Sequence, residues 1–386
     1  MRILHTSDWH IGRTFHGERV LDHLGLALDA LVTAVREHAV DVVIIAGDVF
    51  DSTMPSAEAF DFLDDYLARI HEAGAAVVMT SGNHDSASRL RFQSRWAKLA
   101  GIHIFADAAT PAAFVDLDDE FGTVRFTGIP YLEPALIRRH EGAAEVHSQA
   151  EAIAWAMRAA EAANAEFTGR SVIVAHCFAA GVPAAAMADD LERDLTAGGL
   201  DVVPISHFGD ADYVALGHIH GRAELSERIR YSGAPLHYSF GEANSPRGAW
   251  LVDLDAAGFA GARWLALPIP RELRVLSDEL VALLTSDDYM DAVSAWVAAK
   301  LTDPGRPIDA MRRLRERFPH AVHVEYAPRA TTTTASYQAR LAAATTPEQR
   351  VDAFLEHVRD GRGLQPIERE ALGEIMAELH EVEAAR

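Results

Sequence analysis

The chain has 386 residues, 49% hydrophobic and 24% charged, with 35 Lys and Arg against 57 Asp and Glu, a formal net charge of −22. That length predicts one large domain plus one or two smaller ones with a substantial core, which excludes a disordered chain, and no apolar stretch nears the ~18 residues of a membrane span. The acidic balance repels a polyanion at long range, so any nucleic-acid role needs local basic patches, bound metal ions or a basic partner. The single cysteine, Cys177, excludes internal disulfides and cysteine-based metal clusters and fits a reducing compartment. A polar motif beginning at Asp8 leaves no room for a cleavable targeting segment before it, so a cytoplasmic location is predicted.

Through the first two thirds, short β-branched runs alternate with helical patterns, the mark of an α/β layered domain. Strands are predicted at 2–7, 40–47, 75–82, 124–130, 171–177 and 213–218, and helices at 21–37 and 57–72. In the second helix Phe60, Leu63, Leu67 and Ile70 form a stripe read as core contact. After His220 come short strands in RIRYSGAP, AWLVDLD (249–255) and RWLALPIP, which could complete a second sheet packed on the first, and Pro268 and Pro270 mark a domain boundary. Residues 291–301, a helix at 310–318 and a strand at 320–327 then suggest a small strand-helix-strand unit. The Thr run at 331–334 reads as a linker, and 347–379 as a helical tail broken at GRG (361–363). The expected fold is thus a two-sheet α/β sandwich flanked by helices over 1–268, a small α+β domain over 269–330, and a linker with C-terminal helices over 331–386. The tail, apolar at Phe354, Leu355, Val358, Leu372, Ile375, Met376 and Leu379, caps its own domain or docks on another protein, and its pattern favours neither.

Five of the six strand runs end in metal-capable side chains: Asp8 and His10, GDVFD (47–51), GNHD (82–85), His176, and GHIH (217–220). In open α/β sheets ligands bind beyond the carboxyl ends of the strands, so these clusters are expected to converge. Carboxylates, imidazoles and an amide carbonyl make a mixed oxygen and nitrogen site, suited to Mn, Fe or Zn rather than to the all-oxygen cages of Ca or Mg. Gly47, Gly82 and Gly217 fall where a strand must turn sharply. Taken singly, a DxH pair or a lone His at a strand end is more often a hydrogen-bonded structural residue; the ordered series is what carries the metal reading. His16, His71, His103, His207 and His320 have no such support as metal ligands and are left as surface or structural residues.

The series D-x-H, GDxxD, GNHD, a single His and GHxH, spread over roughly 1–255, resembles the calcineurin-like metallophosphoesterase family. TSDWHIGRTFHG (6–17), AGDVFDS (46–52), SGNHDSASRL (81–90), YVALGHIHG (213–221) and YSGAPLHYSFGE (231–242) are similar, within that family, to the nuclease subunits of bacterial double-strand-break repair complexes. The resemblance implies that Asp8, His10, Asp48 and His220 hold one metal, and that Asp48 bridges to a second completed by Asn83, His176 and His218. It implies that both are manganese and that the pair activates a water for in-line attack; one carboxylate can bridge ions about 3.5–4 Å apart. His84 would be the acid that assists the leaving 3′ oxygen. Asp85 either orients the His84 ring or caps a turn. His176 is preferred to His140 and His147 because it ends a buried-looking strand while they lie in a polar stretch, and Cys177 beside it faces the opposite way as inert core.

The same resemblance implies DNA ends and hairpins as substrate, a nucleoid-associated location, an SbcC-like coiled-coil ATPase bound through the C-terminal helices, a capping domain at 269–330, and a homodimer within a heterotetramer. Arg13, His16, Arg89 and Arg91, with Arg95 and Lys98, lie where phosphates would approach, although a solvated helix face explains each one as well. The Arg cluster at 312–317 has the same two readings. Leu21, Leu24 and Leu28 mark a possible dimer contact or an ordinary core face. Two other functions compete with a DNA nuclease: a phosphodiesterase acting on a small nucleotide or phosphate ester with the tail as a lid, and a catalytically silent scaffold that tethers the ATPase to DNA ends.

Overall fold

Each of the six predicted strand runs becomes a strand, since each is a short β-branched segment closed by a glycine or a polar turn. The computed structural model describes residues 1–183, 186, 202–328, 337–359 and 361–384, and the chain divides into two units, Met1–Arg274 and Val275–Arg386. In chain order the first unit contains β1 (Arg2–Thr6), a small hairpin of β2 (Thr14–Phe15) and β3 (Glu18–Arg19), β4 (Val42–Ala46), β5 (Ala76–Thr80), β6 (Ile102–Phe105), β7 (Ala113–Asp119) and β8 (Gly122–Ile129). It continues with β9 (Arg170–His176), β10 (Tyr213–Gly217), β11 (Ala223–Glu224), β12 (Ile229–Tyr231), β13 (Gly248–Asp255) and β14 (Gly258–Ala266).

These strands form two six-stranded sheets, ordered β14-β13-β1-β4-β5-β6 and β11-β12-β10-β9-β8-β7. The central strands β1, β4, β5 and β6 run parallel, as do β8, β9, β10 and β12. Between the sheets lies a core that includes Ile3, Val42, Ile44, Val78, Phe126, Val172, Val174, Tyr213 and Trp250. Full burial of such side chains contributes roughly 1.5–3 kcal/mol each, and the pleat requires the period-two alternation seen along β4 and β9. On the far side of the second sheet the helix Gln149–Asn164 buries Ile153, Ala156 and Met157 against Ile173 and Val214.

The strands after His220 divide: RIRYSGAP supplies β12, which with β11 completes the second sheet as expected, whereas AWLVDLD and RWLALPIP supply β13 and β14 of the first. β13 pairs antiparallel with β1 and extends the first sheet, whereas β12 joins the second beside β10. β13 thereby makes β1 an interior strand and leaves β14 at the edge of the sheet. Among the described residues of the first unit, five strands lie outside the predicted runs: the two-residue β2, β3 and β11, β6, which is only four residues long, and β7, whose alternation is masked by its acidic outward positions.

The helices α1 (Leu21–Glu37) and α2 (Ala57–Glu72) occupy the expected spans, α2 being capped by the Ser56 hydroxyl, which accepts from the Ala59 N–H. Leu63, Leu67 and Ile70 are buried, while Phe60 is 38% exposed and packs its ring 4.9 Å from that of Phe50. Leu24 and Leu28 are 2% and 0% exposed. They belong to the chain's own core, the core-face reading for these two positions, while Leu21 is only partly buried.

The second unit carries a three-stranded sheet, β15 (Leu273–Asp278), β16 (Trp296–Leu301) and β17 (Ala321–Tyr326), with β16 central. β16 and β17 are parallel and joined by the helix Ala310–Arg317, the expected strand-helix-strand unit. Leu314 and Phe318 pack from this helix and its end onto Val297, Leu301 and Ala321. In the arginine cluster, Arg315 and Arg317 donate to backbone carbonyls of Ala321 and Leu283, and Arg312 pairs with Glu316 at 2.7 Å. The tail forms helices Tyr337–Ala343, Pro347–Val358 and Pro366–Ala384 and breaks at the glycine-bearing segment; the Thr run lies outside the described residues. Among the described residues no helix is long and apolar enough to cross a membrane.

Candidate metal centre

Parallel neighbours direct their carboxyl ends the same way, so the segments following β1, β4, β5, β9 and β10 meet at one end of the sandwich. Backbone bonds stitch the first two together: Asp8 N–H donates to Gly47 O at 3.1 Å, His10 N–H to Asp48 O at 3.0 Å, and Ile11 N–H to Val49 O at 2.9 Å. Side chains tie in the others, with the Asp8 carboxylate accepting from His218 N–H at 3.1 Å and that of Asp48 from His84 N–H at 2.9 Å. This geometry forces unusual backbone. Asp8, His10, Asp48 and His218 have φ of 54°, 45°, 47° and 109°, a region non-glycine residues rarely enter. At Gly82 a β-carbon would strike the Asp48 carboxylate and amide, and at Gly217 it would strike the Ala46 carbonyl. Both positions need glycine for close approach.

The seven predicted ligands come together. Donor atoms within 4.8 Å of one another unite Asp8, His10 and His220; Asp8, Asp48 and His176; and His10, Asp48 and His84. The Asn83 Oδ1 lies 3.0 Å from His176 Nε2 and 3.1 Å from His218 Nδ1. Asp48 sits in the middle, its Oδ2 3.3 Å from His176 Nε2 and 3.7 Å from His10 Nε2. His84 therefore reaches the cluster as well, although its Nδ1 is taken by the Asp51 carbonyl at 3.1 Å. The residues fit divalent cations. His10 Nε2 and His220 Nε2 face each other at 3.1 Å, an approach of two nitrogen lone pairs that calls for a proton or a cation between them.

Charge follows from this crowding. Burial pushes the Asp48 carboxyl up, but His176, His10 and His84 together outweigh it and hold the group well below the ordinary carboxylate range. Burial raises Asp8 despite the surrounding imidazoles. Burial opposes a charge on His176, yet Asp48 and Asp8 carry its pKa up to about 9, whereas burial and His176 drive His218 down to about 3. For His220 the Glu242 carboxylate outweighs burial and raises it; His220 and Arg247 in turn overcome burial at Glu242 and bring it to about 2.

Asp85 is placed differently from its orienting role. Its Oδ2 accepts from Gly82 N–H at 2.9 Å and Val49 N–H at 3.1 Å, and its Oδ1 accepts from Phe50 N–H at 2.9 Å. Both oxygens are spent on capping the two loops, so Asp51, not Asp85, holds the His84 ring. Burial and the charge of Asp48 raise Asp85 to about 6 against those three donors. Two residues that the motif reading leaves without a role support the ligands: the Asp51 carboxylate lies 3.2 Å from His10 Nδ1, and Glu242 accepts from His220 Nδ1 at 3.1 Å. Both lie inside the quoted motifs, but their spacing does not say which ring nitrogen each carboxylate faces. Cys177 is buried core, as expected.

The basic residues are arranged unevenly. Arg13 pairs with Asp51 at 3.0 Å and lies over the Tyr238 ring at the rim of the cluster. His16 is exposed and sits 5.3 Å from the Phe240 ring. Arg89 donates to Thr53 O at 2.6 Å, Arg91 pairs with Asp107, and the exposed Arg95 and Lys98 follow on short helical turns. Phe92, Trp96 and Leu99 between them are more than 70% exposed.

A family model described as calcineurin-like phosphoesterase matches residues 1–222, and the SbcD_C model, described as type 5 capsule protein repressor C-terminal domain, matches residues 269–359. Among solved structures the chain is similar to a dimetal phosphatase from Danio rerio, at 14% identity over 69% of this chain and 99% of that one, with a TM-score of 0.39. It is also similar to GAP50, the anchor in the inner membrane complex of Plasmodium, at 8% identity over 86% of this chain and 99% of that one, with a TM-score of 0.38. With the first model spanning more than half of the sequence and containing the whole of a cluster suited to divalent ions, the chain belongs to the calcineurin-like phosphoesterase family of metal-dependent hydrolases.

Proposed function

We propose that the chain is the nuclease subunit of an SbcCD-type complex, a manganese-dependent DNA exonuclease and endonuclease acting at double-strand ends and hairpins in the cytoplasm. The observation that carries this reading is the pairing, on one chain, of the phosphoesterase cluster with an SbcD_C segment at 269–359. In this proposal Asp8, His10, Asp48 and His220 hold one ion, and Asp48, Asn83, His176 and His218 the other. When bound, the ions supply an activated water nucleophile and neutralise charge on the phosphoryl oxygens. The chain's own part is to fix the donors on stitched loops and to present His84, with Nδ1 engaged by Asp51, so that Nε2 can give a proton to the leaving 3′ oxygen. Arg13, His16, Arg89 and Arg91 are the proposed phosphate contacts.

Residues 269–330 form the proposed capping domain and 331–386 the linker and helices that bind the base of a coiled-coil ATPase. Support for that docking comes from Phe354, Val358 and Ile375, apolar tail positions that are about half exposed. A second copy is expected to complete a heterotetramer, and exposed apolar residues such as Trp96, rather than Leu24 and Leu28, are available for that contact. The test is degradation of linear and hairpin DNA with manganese. His84→Gln should lower the rate about 10²–10⁴-fold with bound ions retained. Turnover of small diesters alone would favour a metabolic phosphodiesterase, and ion binding without any turnover a scaffold.

A further inference from the structure

Behind the cluster lies a charged pair that the proposed hydrolysis does not use. Glu242 and Arg247 are 3% and 2% exposed. The Glu242 Oε1 accepts from His220 Nδ1 at 3.1 Å, while its Oε2 accepts from Arg247 Nη2 at 2.8 Å and from Tyr238 N–H at 3.1 Å. Arg247 Nη1 donates to the backbone carbonyl of His220 itself. The arginine thus grips both the main chain of His220 and the carboxylate that grips its ring. On the other side of the cluster, His176 Nδ1 rests on an uncharged acceptor, the Ala46 carbonyl, at 2.9 Å.

The chemistry of the pair dictates a direction. A guanidinium only donates, so Arg247 occupies one acceptor oxygen of the ionised Glu242, and the other oxygen, facing His220, can only accept. His220 must then carry its ring proton on Nδ1 and turn the Nε2 lone pair toward His10 and Asp8. We propose that Glu242, locked by Arg247, is a positioning residue that presets His220 for a divalent ion, so that the half of the centre built on Asp8, His10 and His220 binds its ion more tightly than the half built on Asn83, His176 and His218. This rests on the ligand assignment proposed above, and outer-shell carboxylates of this kind typically matter 10–100-fold in ion affinity.

The experiment titrates the metal-free full chain with Mn²⁺ by calorimetry, with free ion counted by electron paramagnetic resonance and each variant's melting curve recorded in chelator. The wild type is expected to bind two ions unequally. In Glu242→Gln the single amide oxygen goes to Arg247, which turns the NH₂ group toward His220 Nδ1 and drives the ring proton onto Nε2. The tighter ion should then weaken about 10–100-fold while the weaker one is unchanged. Arg247→Met keeps the carboxylate, with Oε1 still on His220 and Oε2 still held by Tyr238 N–H, so it should weaken the tighter ion less than Glu242→Gln does; a purely structural role of the pair predicts equal losses. Wild-type ion binding by Glu242→Gln, an Arg247→Met variant as weak as Glu242→Gln, or two equal ions in the wild type would each overturn the proposal. Should Glu242→Gln fail to fold, the wild-type inequality and Arg247→Met, which should largely keep the tighter ion, decide. DNA cleavage is scored separately: ions bound without cleavage would sink the nuclease reading and leave this one standing.

Discussion

At the scale of single residues, the chain spends its carboxylates on different tasks within one small volume. Asp8 and Asp48 face the imidazoles, whereas Asp85, two positions from Asn83, turns back and satisfies three backbone N–H groups. Asp85→Asn keeps one acceptor and sets an NH₂ group against those donors. It should destabilise the fold by about 1–3 kcal/mol in chemical denaturation, with any activity loss following ion loss. If Asp85 acted through the His84 ring, kcat would fall with stability unchanged. The clustered residues themselves were legible because Asp, Asn and His at strand ends have few other reasons to recur in that order. The support by Asp51 and Glu242 was not, since which ring nitrogen faces which carboxylate depends on loop geometry that no local spacing encodes.

At the scale of elements, the predicted central strands and both long helices followed from periodicity, while the partners of the late strands did not: pairing β13 with β1 joins residues some 250 positions apart. Another non-local clip fastens the opposite end of the sandwich from the metal cluster. Asp119, closing β7 in the second sheet, takes a bidentate pair from Arg170 at the start of β9 and an ion pair at 2.6 Å from the Met1 amine that leads into β1 of the first. The Arg170 guanidinium, helped by that amine and against burial, holds Asp119 well below the usual carboxylate range. Because the folded-state pKa is depressed, the native protein binds fewer protons than the unfolded chain. The stabilisation is therefore full above the unfolded value of ~3.9 and fades as pH falls toward the lower folded value. Asp119→Asn should cost about 1–2 kcal/mol at neutral pH, discounted for the partly wet site. Melting curves of the two proteins should converge in acid.

At the scale of the whole molecule, the donor cluster lies entirely within Met1–Arg274, and the second unit has its own core around Leu314 and Phe318. A chain ending at Arg274 should therefore take up the same ions and hydrolyse small diesters, yet fail to co-purify with a coiled-coil ATPase that the intact chain retains. Pull-down and ion counting on the same preparations check both halves of that statement. If the proposed nuclease reading holds, a net charge of −22 requires that the hold on DNA be shared with ions and a partner.

The backwards-turned residues at Asp8, His10, Asp48 and His218 have a thermodynamic corollary. Each opposes folding by on the order of 1–3 kcal/mol, so these loops resemble an arch raised before its keystone, and the keystone is whatever cation settles between them. Heat resistance should then track free manganese, gaining about 1.4 kcal/mol per site for each tenfold rise above the dissociation constant. Scanning calorimetry across a buffered series of concentrations would trace that slope, and a flat response would mean that the springers already stand unaided.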